Sequence, residues 1–342
     1  MKQASLNAKL SGFLQDKVIS KIYLSFQQLL NKNIGTKKFA VCVSGGPDSL
    51  ALAFCSKLYS EHTKNKVFYL IVDHNIRTNS AKEAKSVQKN LLKIHVKSNI
   101  LTIKKSISKS IQKNARDHRY DLISAFCKAK KISFMLTAHH LDDQIENFYI
   151  RLTRGSGLYG LSSMKMLSQN KQGIHVLRPF LNITKKDLVH IAKKIFKTFV
   201  KDPSNTNDKF LRSRIRKLKS SLASEGLDQS RILKTISNLN TAKEAIDFYV
   251  KKFQKKHVHV VHKNKVNIDL KLFSEQPAEI IYRVMAELIQ KRSGKDYPPR
   301  AKGLEYLISS IQSNNFSKTT LGGFTFSLDK HKIIMSKENR NA

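Results

Sequence analysis

The sequence has few cysteines, and their spacing predicts no metal or redox centre. Only Cys42, Cys55 and Cys127 occur, and no two of them form a Cys-x-x-Cys motif. This excludes the usual signatures of a zinc site, an iron–sulfur cluster or a thioredoxin-like disulfide. Cys42 lies in an apolar run and Cys55 in a helix-like segment, so both are predicted to be small core residues rather than nucleophiles.

The sequence also lacks a long apolar run. No stretch reaches the roughly 18 uninterrupted apolar residues that predict a membrane-spanning helix. The first segment, MKQASLNAKLSGFLQDKVISKIYLSF, has no continuous apolar core of the kind found in signal peptides. These absences predict a cytoplasmic protein without a membrane partner. An organelle transit peptide is the alternative for so basic an N-terminus.

Acidic residues are scarce. There are 63 lysines and arginines against 25 aspartates and glutamates, which gives a formal net charge of +38. The excess predicts a polyanionic partner, with nucleic acid favoured and an acidic membrane surface as the main competitor. AT-rich codon usage is a further explanation, because lysine outnumbers arginine by more than three to one. Codon usage explains lysine in place of arginine better than it explains the scarcity of acids.

The length of 342 residues is too great for one small domain, so two or three are expected. In the first part of the chain, apolar strand-like runs alternate with helix-like segments of about a dozen residues or more. This alternation predicts a Rossmann-like, doubly wound parallel sheet of the α/β class, with helices on both faces. The strand-like runs are 39–43, 67–72, 100–103, 132–136 and 174–177.

The alternation stops after about residue 222. Helical periodicity follows at 228–254 and 275–292, and LGGFTFSLDKHKIIM resembles a closing β-hairpin. The sequence therefore predicts a first domain at 1–222 and a smaller, mainly helical C-terminal domain at 223–342.

Two helix positions in the first domain are predicted in more detail. The periodicity of Leu14, Val18 and the apolar residues after them predicts a helix over 13–30. Thr184 and Asp187 have the spacing of a capping box, so a helix is predicted to begin there.

The first strand-like run ends in Ser44-Gly45-Gly46-Pro47-Asp48-Ser49. Ligands of open α/β sheets bind beyond the carboxyl ends of the strands, where glycines free backbone N–H groups to cradle an anion. The motif lacks the GxxxxGK(S/T) pattern of the Walker P-loop and the GxGxxG pattern of dinucleotide sites. A purely structural Gly-Gly turn would not need the flanking serine and aspartate. Asp48 is predicted to hold Mg²⁺ or to orient a phosphate.

Two further polar motifs follow predicted strands. IVDHNIR places Asp73 and His74 directly after the second strand, and TAHHLDDQIENFYIRLTRGSGLYGL follows the fourth. If 141–152 is helical, one face is an apolar stripe and the other is polar. The polar face predicts a site for a cation, a metal ion or an amino group, with a solvated helix face as the alternative. The stripe comprises Leu141, Ile145, Phe148 and Leu152, and the polar face comprises His139, Asp143 and Glu146.

These motifs together resemble the tRNA(Ile)-lysidine synthetase family of PP-loop, N-type ATP pyrophosphatases. The resemblance covers roughly 36–220. It implies a ligase that uses ATP and free L-lysine to convert the wobble cytidine of the CAU anticodon of tRNA(Ile) to lysidine, through an adenylated cytidine, with release of AMP and pyrophosphate. The motifs that carry it are SGGPDS, VDHNIR, NARDHRYDLI, AHHLDDQIENFYIRLTRGSGLYGL, RPFL and DPSNTNDKFLRSRIR.

The resemblance also implies roles for individual residues. ATP would be bound by the loop Ser44, Gly45, Gly46, Pro47, Asp48 and Ser49, and by Asp73, His74 and Arg77. Lysine would be recognised by Asp143 and Glu146. The arginines around the ATP and the target base would be Arg116 or Arg119, together with Arg212. Independently of the resemblance, a carboxylate or His140 is a candidate for accepting the proton of the attacking amine. The C-terminal domain would bind tRNA.

The sequence departs from the family pattern in two places. Members have Arg-Asn where this chain has Arg212-Ser213, and a threonine where it has Asn147. Two competing functions share the fold: tRNA thiolation, which needs a cysteine pair that is absent here, and RNA binding without catalysis. The intact loop and acidic motif favour an enzyme. The sequence does not fix the oligomeric state, and a homodimer is compatible with it.

Overall fold

The computed structural model describes residues 10–75, 79–103, 111–162, 164–200, 211–262, 264–295, 297–313 and 316–338, with backbone only at 111–116 and 220. The chain divides into two compact units, Met1–Ile236 and Ser237–Ala342. This division lies inside a long helix. The functional boundary predicted at 222/223 stays a prediction.

The first unit contains a six-stranded sheet in the order β3-β2-β1-β4-β6-β5. All neighbouring strands are parallel except β5 and β6, which are antiparallel. The five predicted strands are confirmed, and the short edge strand β5 was not predicted. The strands are β1 Phe39–Cys42, β2 Val67–Asp73, β3 Ser98–Thr102, β4 Phe134–Leu136, β5 Leu167–Gln169 and β6 His175–Leu177.

Helices cover both faces of this sheet, as predicted. Alternate residues of β1 enter separate cores: Phe39 and Val41 pack in one hydrophobic cluster, and Ala40 packs in another. The helices, after a short 3-10 helix at Phe13–Gln15, are α1 Lys17–Asn33, α2 Pro47–Thr63, α3 Ser80–Leu92, α4 Ile111–Ala129, α5 Leu141–Leu152, α6 Leu158–Leu161, α7 Lys185–Phe196 and α8 Leu211–Ser224.

Local capping decides where two of these helices begin. Asp16 caps α1, because its Oδ1 accepts hydrogen bonds from the N–H groups of Val18 and Ile19 at 3.0 and 3.2 Å. The predicted helix over 13–30 is therefore interrupted at residue 16, and Val18 is exposed while Ile19 is buried. Thr184 caps α7 by accepting from the N–H of Asp187 at 3.2 Å, which confirms the predicted helix start.

The second unit combines helices with a five-stranded antiparallel sheet in the order β7-β8-β11-β10-β9. The hairpin predicted near the C-terminus is confirmed as part of this larger sheet. The two predicted helices correspond to α9 and α11. The elements are α9 Gln229–His257, which starts in the first unit, β7 Val258–His262, β8 Lys265–Asp269, α10 Lys271–Glu275, α11 Ala278–Ser293, α12 Ala301–Gln312, β9 Lys318–Leu321, β10 Phe324–Asp329 and β11 Lys332–Lys337.

Apolar residues from the helices and the sheet of this unit form its own hydrophobic core. Val250 of α9, Val284 of α11, Leu304 of α12 and Phe326 of β10 are fully buried there. Among the helices that the structure describes, none is both long and apolar enough to cross a bilayer.

Candidate active site

The glycine-rich loop lies between β1 and α2 and is organised by the hydroxyl of Ser49. Ser49 Oγ accepts hydrogen bonds from the backbone N–H groups of Ser44 and Gly45, both at 3.1 Å, and donates to the carbonyl of Gly46 at 3.0 Å. Gly46 is the N-cap of α2 and Pro47 occupies its first turn. The loop therefore directs a helix N-terminus beyond the carboxyl end of the central strand, as the sequence predicts for an anion site.

Gly45 is required by both its backbone conformation and its surroundings. Its φ of +86° lies in the left-handed region that favours glycine. A Cβ at this position would lie 2.3 Å from Cγ2 of Val87 on α3 and 3.2 Å from Cγ2 of Val200. Gly46, by contrast, has an extended backbone with φ −70°, and a Cβ there would meet only Ser44 Oγ at 3.8 Å.

His140 brings the loop and α5 together. It is buried, and its Nε2 lies 3.6 Å from Asp48 Oδ2 and 3.5 Å from Asp143 Oδ2. Asp143 also accepts a hydrogen bond from the backbone N–H of His140 at 3.1 Å, which caps α5. The imidazole is thus placed between the carboxylates of the nucleotide loop and of the acidic motif. This arrangement arises because β1 and β4 are adjacent parallel strands whose carboxyl ends meet at one edge of the sheet.

Glu146 is held by two arginines of α8, which packs against α5. Arg216 binds both of its oxygens, with Nε to Oε1 at 2.5 Å and Nη2 to Oε2 at 3.1 Å. Arg212 bridges two acids, with Nε to Glu146 Oε2 at 2.9 Å and Nη2 to Asp143 Oδ1 at 3.5 Å. The Glu146 side chain is only 6% exposed. The hydrogen bonds to Glu146 raise the pKa of Arg216. Arg212 of the Arg212-Ser213 sequence, where family members have Arg-Asn, is thus paired with these two acids.

Asp142 is bound by groups from α8 and from one further helix, α7. Its Oδ1 accepts from Lys219 Nζ of α8 at 2.8 Å, and its Oδ2 accepts from the backbone N–H of Lys185 at the start of α7 at 3.0 Å. Burial raises the pKa of Asp142, but these hydrogen bonds and the Lys219 charge outweigh burial and leave it below its ordinary value. Asp142 therefore connects α5, α7 and α8.

The second polar motif lies after β2. Asp73 is buried, and its Oδ1 accepts from the N–H of Asn75 at 3.0 Å. Arg119 of α4 donates from Nη2 to His74 Nε2 at 2.7 Å. The structure therefore brings the predicted His74 and Arg119 into contact. Arg77 and the side chain of Arg116 lie outside the described residues.

Two sequence predictions about α5 are wrong. His139 does not share a helix face with Asp143 and Glu146, because α5 begins after His140; the Nδ1 of His139 lies 2.9 Å from Thr137 Oγ1. His140 takes the place beside the acids. Leu152 does not belong to the apolar stripe, because it lies at the end of the helix and is 50% exposed. The bounds predicted for the helix are confirmed as Leu141–Leu152.

Four residues that contact the acids or belong to them were not predicted from the sequence: Asp142, Lys185, Arg216 and Lys219. A signal for the last two was present, because Arg212, Arg216 and Lys219 are spaced to share one helix face, like the acids of α5. The solvated-face interpretation of α5 is wrong for Glu146, which is buried.

Asp48 is the group that best fits a bound cation. Its Oδ1 is buried and has no hydrogen-bond partner within the described parts of the chain. Burial raises the pKa of Asp48, and His140 opposes this shift. No cluster of three or more His, Cys, Asp and Glu suited to holding a metal ion occurs among the described residues, which disfavours the all-protein metal site considered for α5. One carboxylate oxygen without a partner instead suits a Mg²⁺ ion shared with substrate phosphates.

The cysteines have the environment of core residues. Cys55 and Cys127 are buried, and all three thiols are free. Burial raises the pKa of Cys127 to about 11 and that of Cys42 to about 12. Thiolates at these positions are disfavoured near neutral pH, so none of the three has the character of a nucleophile.

Comparison with known proteins identifies the family of the chain. Residues 19–221 match a family described as a PP-loop domain. A tRNA(Ile)-lysidine synthase from Orientia tsutsugamushi is 34% identical over 296 residues, which are 83% of this chain and 66% of the relative. One from Wolbachia pipientis is 31% identical over 321 residues, which are 92% of this chain and 74% of the relative. The chain thus spans just under two thirds of the first relative and about three quarters of the second.

A solved structure supports the fold. The U34-tRNA thiolase NcsA from Methanococcus maripaludis, which carries a 4Fe–4S cluster, aligns with a TM-score of 0.56 at 17% identity, over 66% of this chain and 79% of that one. At this identity the likeness concerns the fold alone. The PP-loop match covers more than half of the chain, and the Wolbachia relative is matched over 74% of its length. The chain therefore belongs to the tRNA(Ile)-lysidine synthase family of PP-loop proteins.

Proposed function

We propose that this protein ligates L-lysine to C2 of the wobble cytidine in the CAU anticodon of tRNA(Ile), with consumption of ATP. The observation that carries the proposal is the convergence of Asp48, His140 and Asp143 where β1 and β4 end. A loop suited to phosphate would there lie beside acids suited to an amine. The names of the Orientia and Wolbachia relatives supply the substrate tRNA and the product.

The loop from Ser44 to Ser49 would bind the pyrophosphate portion of ATP. The N-terminus of α2 attracts negative charge, and Gly45 and Gly46 allow the backbone to approach the phosphates closely. Asp48 would hold a Mg²⁺ ion against the triphosphate, and the ion would neutralise charge there when bound. In the first step, the cytidine O2 attacks the α-phosphate and pyrophosphate leaves.

Asp143 would receive the cationic amino acid. Its carboxylate is more accessible than that of Glu146, and its contact with Arg212 is long, at 3.5 Å. Arg212 is about half exposed and bridges both acids, so Asp143 can exchange its contact with Arg212 for one with a substrate ammonium while Arg216 keeps Glu146 in place. This assigns the two acids different roles: Asp143 binds lysine and Glu146 mainly shapes the pocket.

The second step requires a neutral amine. The lysine ε-amine attacks C2 of the adenylated cytidine, and AMP leaves. The proton released must be accepted nearby, and His140 lies within 3.6 Å of both Asp48 and Asp143. His140 would accept this proton, with the adjacent carboxylates stabilising the imidazolium that forms. Arg119, held by His74, and Arg116 would face the nucleotide and the base.

The net charge of +38 supports a polyanionic partner such as tRNA. A nearby basic patch consists of Lys185, Lys186, His190 and Lys193 on α7. It begins beside Asp142, since the backbone of Lys185 contacts that acid. It would contact phosphates of the anticodon arm, whose wobble base must reach the loop.

The test is nucleoside analysis after incubation of the protein with ATP, labelled lysine and a CAU tRNA(Ile) transcript. We expect a lysine-labelled nucleoside, dependence on ATP, and none with a CAU methionine tRNA. Asp48→Ala should abolish the product, while Glu279→Gln, in an exposed pair of the second unit, should not. Absence of labelled nucleoside from folded wild-type protein would refute the proposal. Labelling from a sulfur donor instead would favour thiolation.

A further inference from the structure

An exposed phenylalanine lies at the N-terminal end of a lysine-rich face of α9. Phe248 is 63% exposed. Lys251, Lys252, Lys255 and Lys256 follow it and are all exposed. At about 100° per residue, these four lysines lie within roughly 80° of Phe248 around the helix axis. The acids Glu244 and Asp247 precede Phe248, so the basic face extends from it towards the C-terminal end of the helix.

The opposite side of the same helix is anchored in the core of the second unit. Val250 is fully buried there, and Phe253 packs against the cluster. The exposure of Phe248 therefore follows from the orientation that the core imposes on α9. We name Phe248, Tyr249 and the four lysines the α9 platform.

The aromatic rings of this helix support one another. Tyr249 is nearly half exposed and contacts Phe248 edge to face, with ring centroids 5.4 Å apart. Tyr249 also stacks on Phe253 at 6.2 Å with an interplanar angle of 20°, and Phe253 stacks on the buried His257 at 6.0 Å. This series of ring contacts connects Phe248 to the core. It restricts the side-chain conformations of Phe248 and so lowers the entropic cost of binding a flat ligand.

We propose that the α9 platform binds an unpaired nucleotide of RNA, with the base stacked on Phe248 and the flanking phosphates on the lysines. Stacking on aromatic rings with nearby cationic side chains is how proteins bind single-stranded nucleic acid without sequence preference. Bases inside a duplex are already stacked, so the ligand is a loop or an end rather than a stem. The inference rests on the proposed function for its choice of RNA as the polyanion.

Two other occupants fit the platform less well. A second copy of the chain would bring two sets of four lysines together across a two-fold axis, which is repulsive. An anionic membrane suits the charge, but the apolar part of this face is only two rings wide, because the other apolar residues of α9 here pack into the core.

The sequence offers a direct probe, because it contains no tryptophan. Phe248→Trp places a single tryptophan on the platform. Stacking of a base should quench its fluorescence when a CAU tRNA(Ile) transcript or a short single-stranded RNA is added, and a blunt duplex of equal length should quench it much less. Unchanged emission at saturating RNA, or equal quenching by the duplex, would overturn the stacking.

Affinity measurements distinguish the contribution of the Phe248 ring to tRNA binding from that of the lysine charges. Phe248→Ala should weaken tRNA binding about 5- to 150-fold without changing its dependence on salt. Lys251→Ala combined with Lys255→Ala should instead reduce the slope of log K against log salt by about 1 to 2, because fewer counterions are released. Tyr306→Ala is the matched control, since Tyr306 is equally exposed, at 67%, on α12. It should bind tRNA as the wild type does.

Three further results would show that Phe248 does not stack on RNA. Wild-type affinity in a folded Phe248→Ala variant would overturn the inference. So would a lower sedimentation mass of that variant, which would assign the ring to self-association, or a response of the tryptophan to anionic vesicles but not to RNA. Lysine incorporation is measured separately. If it persists while the platform tests fail, this inference alone falls; if lysine incorporation fails with tRNA bound, the proposed function falls.

Discussion

Replacing Glu146 by glutamine should destabilise the first unit. The neutral amide loses three charge-assisted contacts, two to Arg216 and one to Arg212, at a position that is only 6% exposed. A hydrogen bond to a charged group contributes about 1.5–3 kcal/mol. Because both arginines are partly exposed, we discount the total and expect Glu146→Gln to cost about 2 kcal/mol. In a domain of this size, that corresponds to a decrease in Tm of about 4–8 °C.

Calorimetry without substrates measures this effect, and Glu279→Gln is the control. Glu279 is about half exposed and pairs with Arg283 one turn along α11, so its loss should cost about 0.5 kcal/mol or less. A double-mutant cycle with Arg216→Gln should give a coupling of at least about 1 kcal/mol. An unchanged Tm in Glu146→Gln, together with a large increase in the KM for lysine, would refute the reasoning: Glu146 would then be a substrate ligand rather than the residue that shapes the pocket.

Three further predictions concern the loop and Asp143. Asp143→Asn should raise the KM for lysine about ten- to hundred-fold with little change in Tm, because it removes one charge-assisted contact to the substrate; an unchanged KM would exclude this residue from lysine binding. Asp48→Asn should abolish pyrophosphate release yet raise the Tm at pH 7. Burial raises the pKa of Asp48, so the ionised carboxylate destabilises the folded protein at pH values above the folded pKa. Below the unfolded pKa the carboxyl is neutral in both states, and the increase in Tm should vanish. An equal increase in Tm at low pH would contradict this. Gly45→Ala should cost about 2–4 kcal/mol, from the positive φ and the contact with Val87, whereas Gly46→Ala should leave the fold intact; equal melting temperatures would show that the loop adapts.

The arrangement of the first unit could be predicted because its signals are local. Apolar runs separated by helical segments predict a parallel sheet, and the glycines after the first run mark the carboxyl end of β1. Residues 141–152 have a clear helical period, and the helix bounds agree with it. Strand β5 has no such signal, since Leu167–Gln169 is short and mostly polar.

The roles of individual acids could not be predicted in the same way. Asp143 and Glu146 are one turn apart and look equivalent in the sequence. They differ because of α8, which lies about 70 residues further along the chain. Arg216 of this helix binds Glu146, whereas Asp143 has only the longer contact from Arg212. Which of His139 and His140 lies beside the acids depends on the residue at which α5 begins. A shift of one residue in that start would exchange the two. The burial of Glu146 and the exposure of Leu152 likewise depend on tertiary packing rather than on helical period.

The hydrogen bond that closes the first turn of α5 gives the pocket its own spectroscopic reporter. Asp143 Oδ2 accepts the amide proton of His140 and also lies 3.5 Å from the imidazole Nε2 of the same residue. A cation that binds this carboxylate weakens it as an acceptor for that amide. In a ¹⁵N-labelled sample, the His140 amide resonance will therefore move as the pocket fills, and its hydrogen exchange will quicken. If Asp143 binds lysine as proposed, this single backbone signal should follow the binding in titrations without RNA, ATP or turnover.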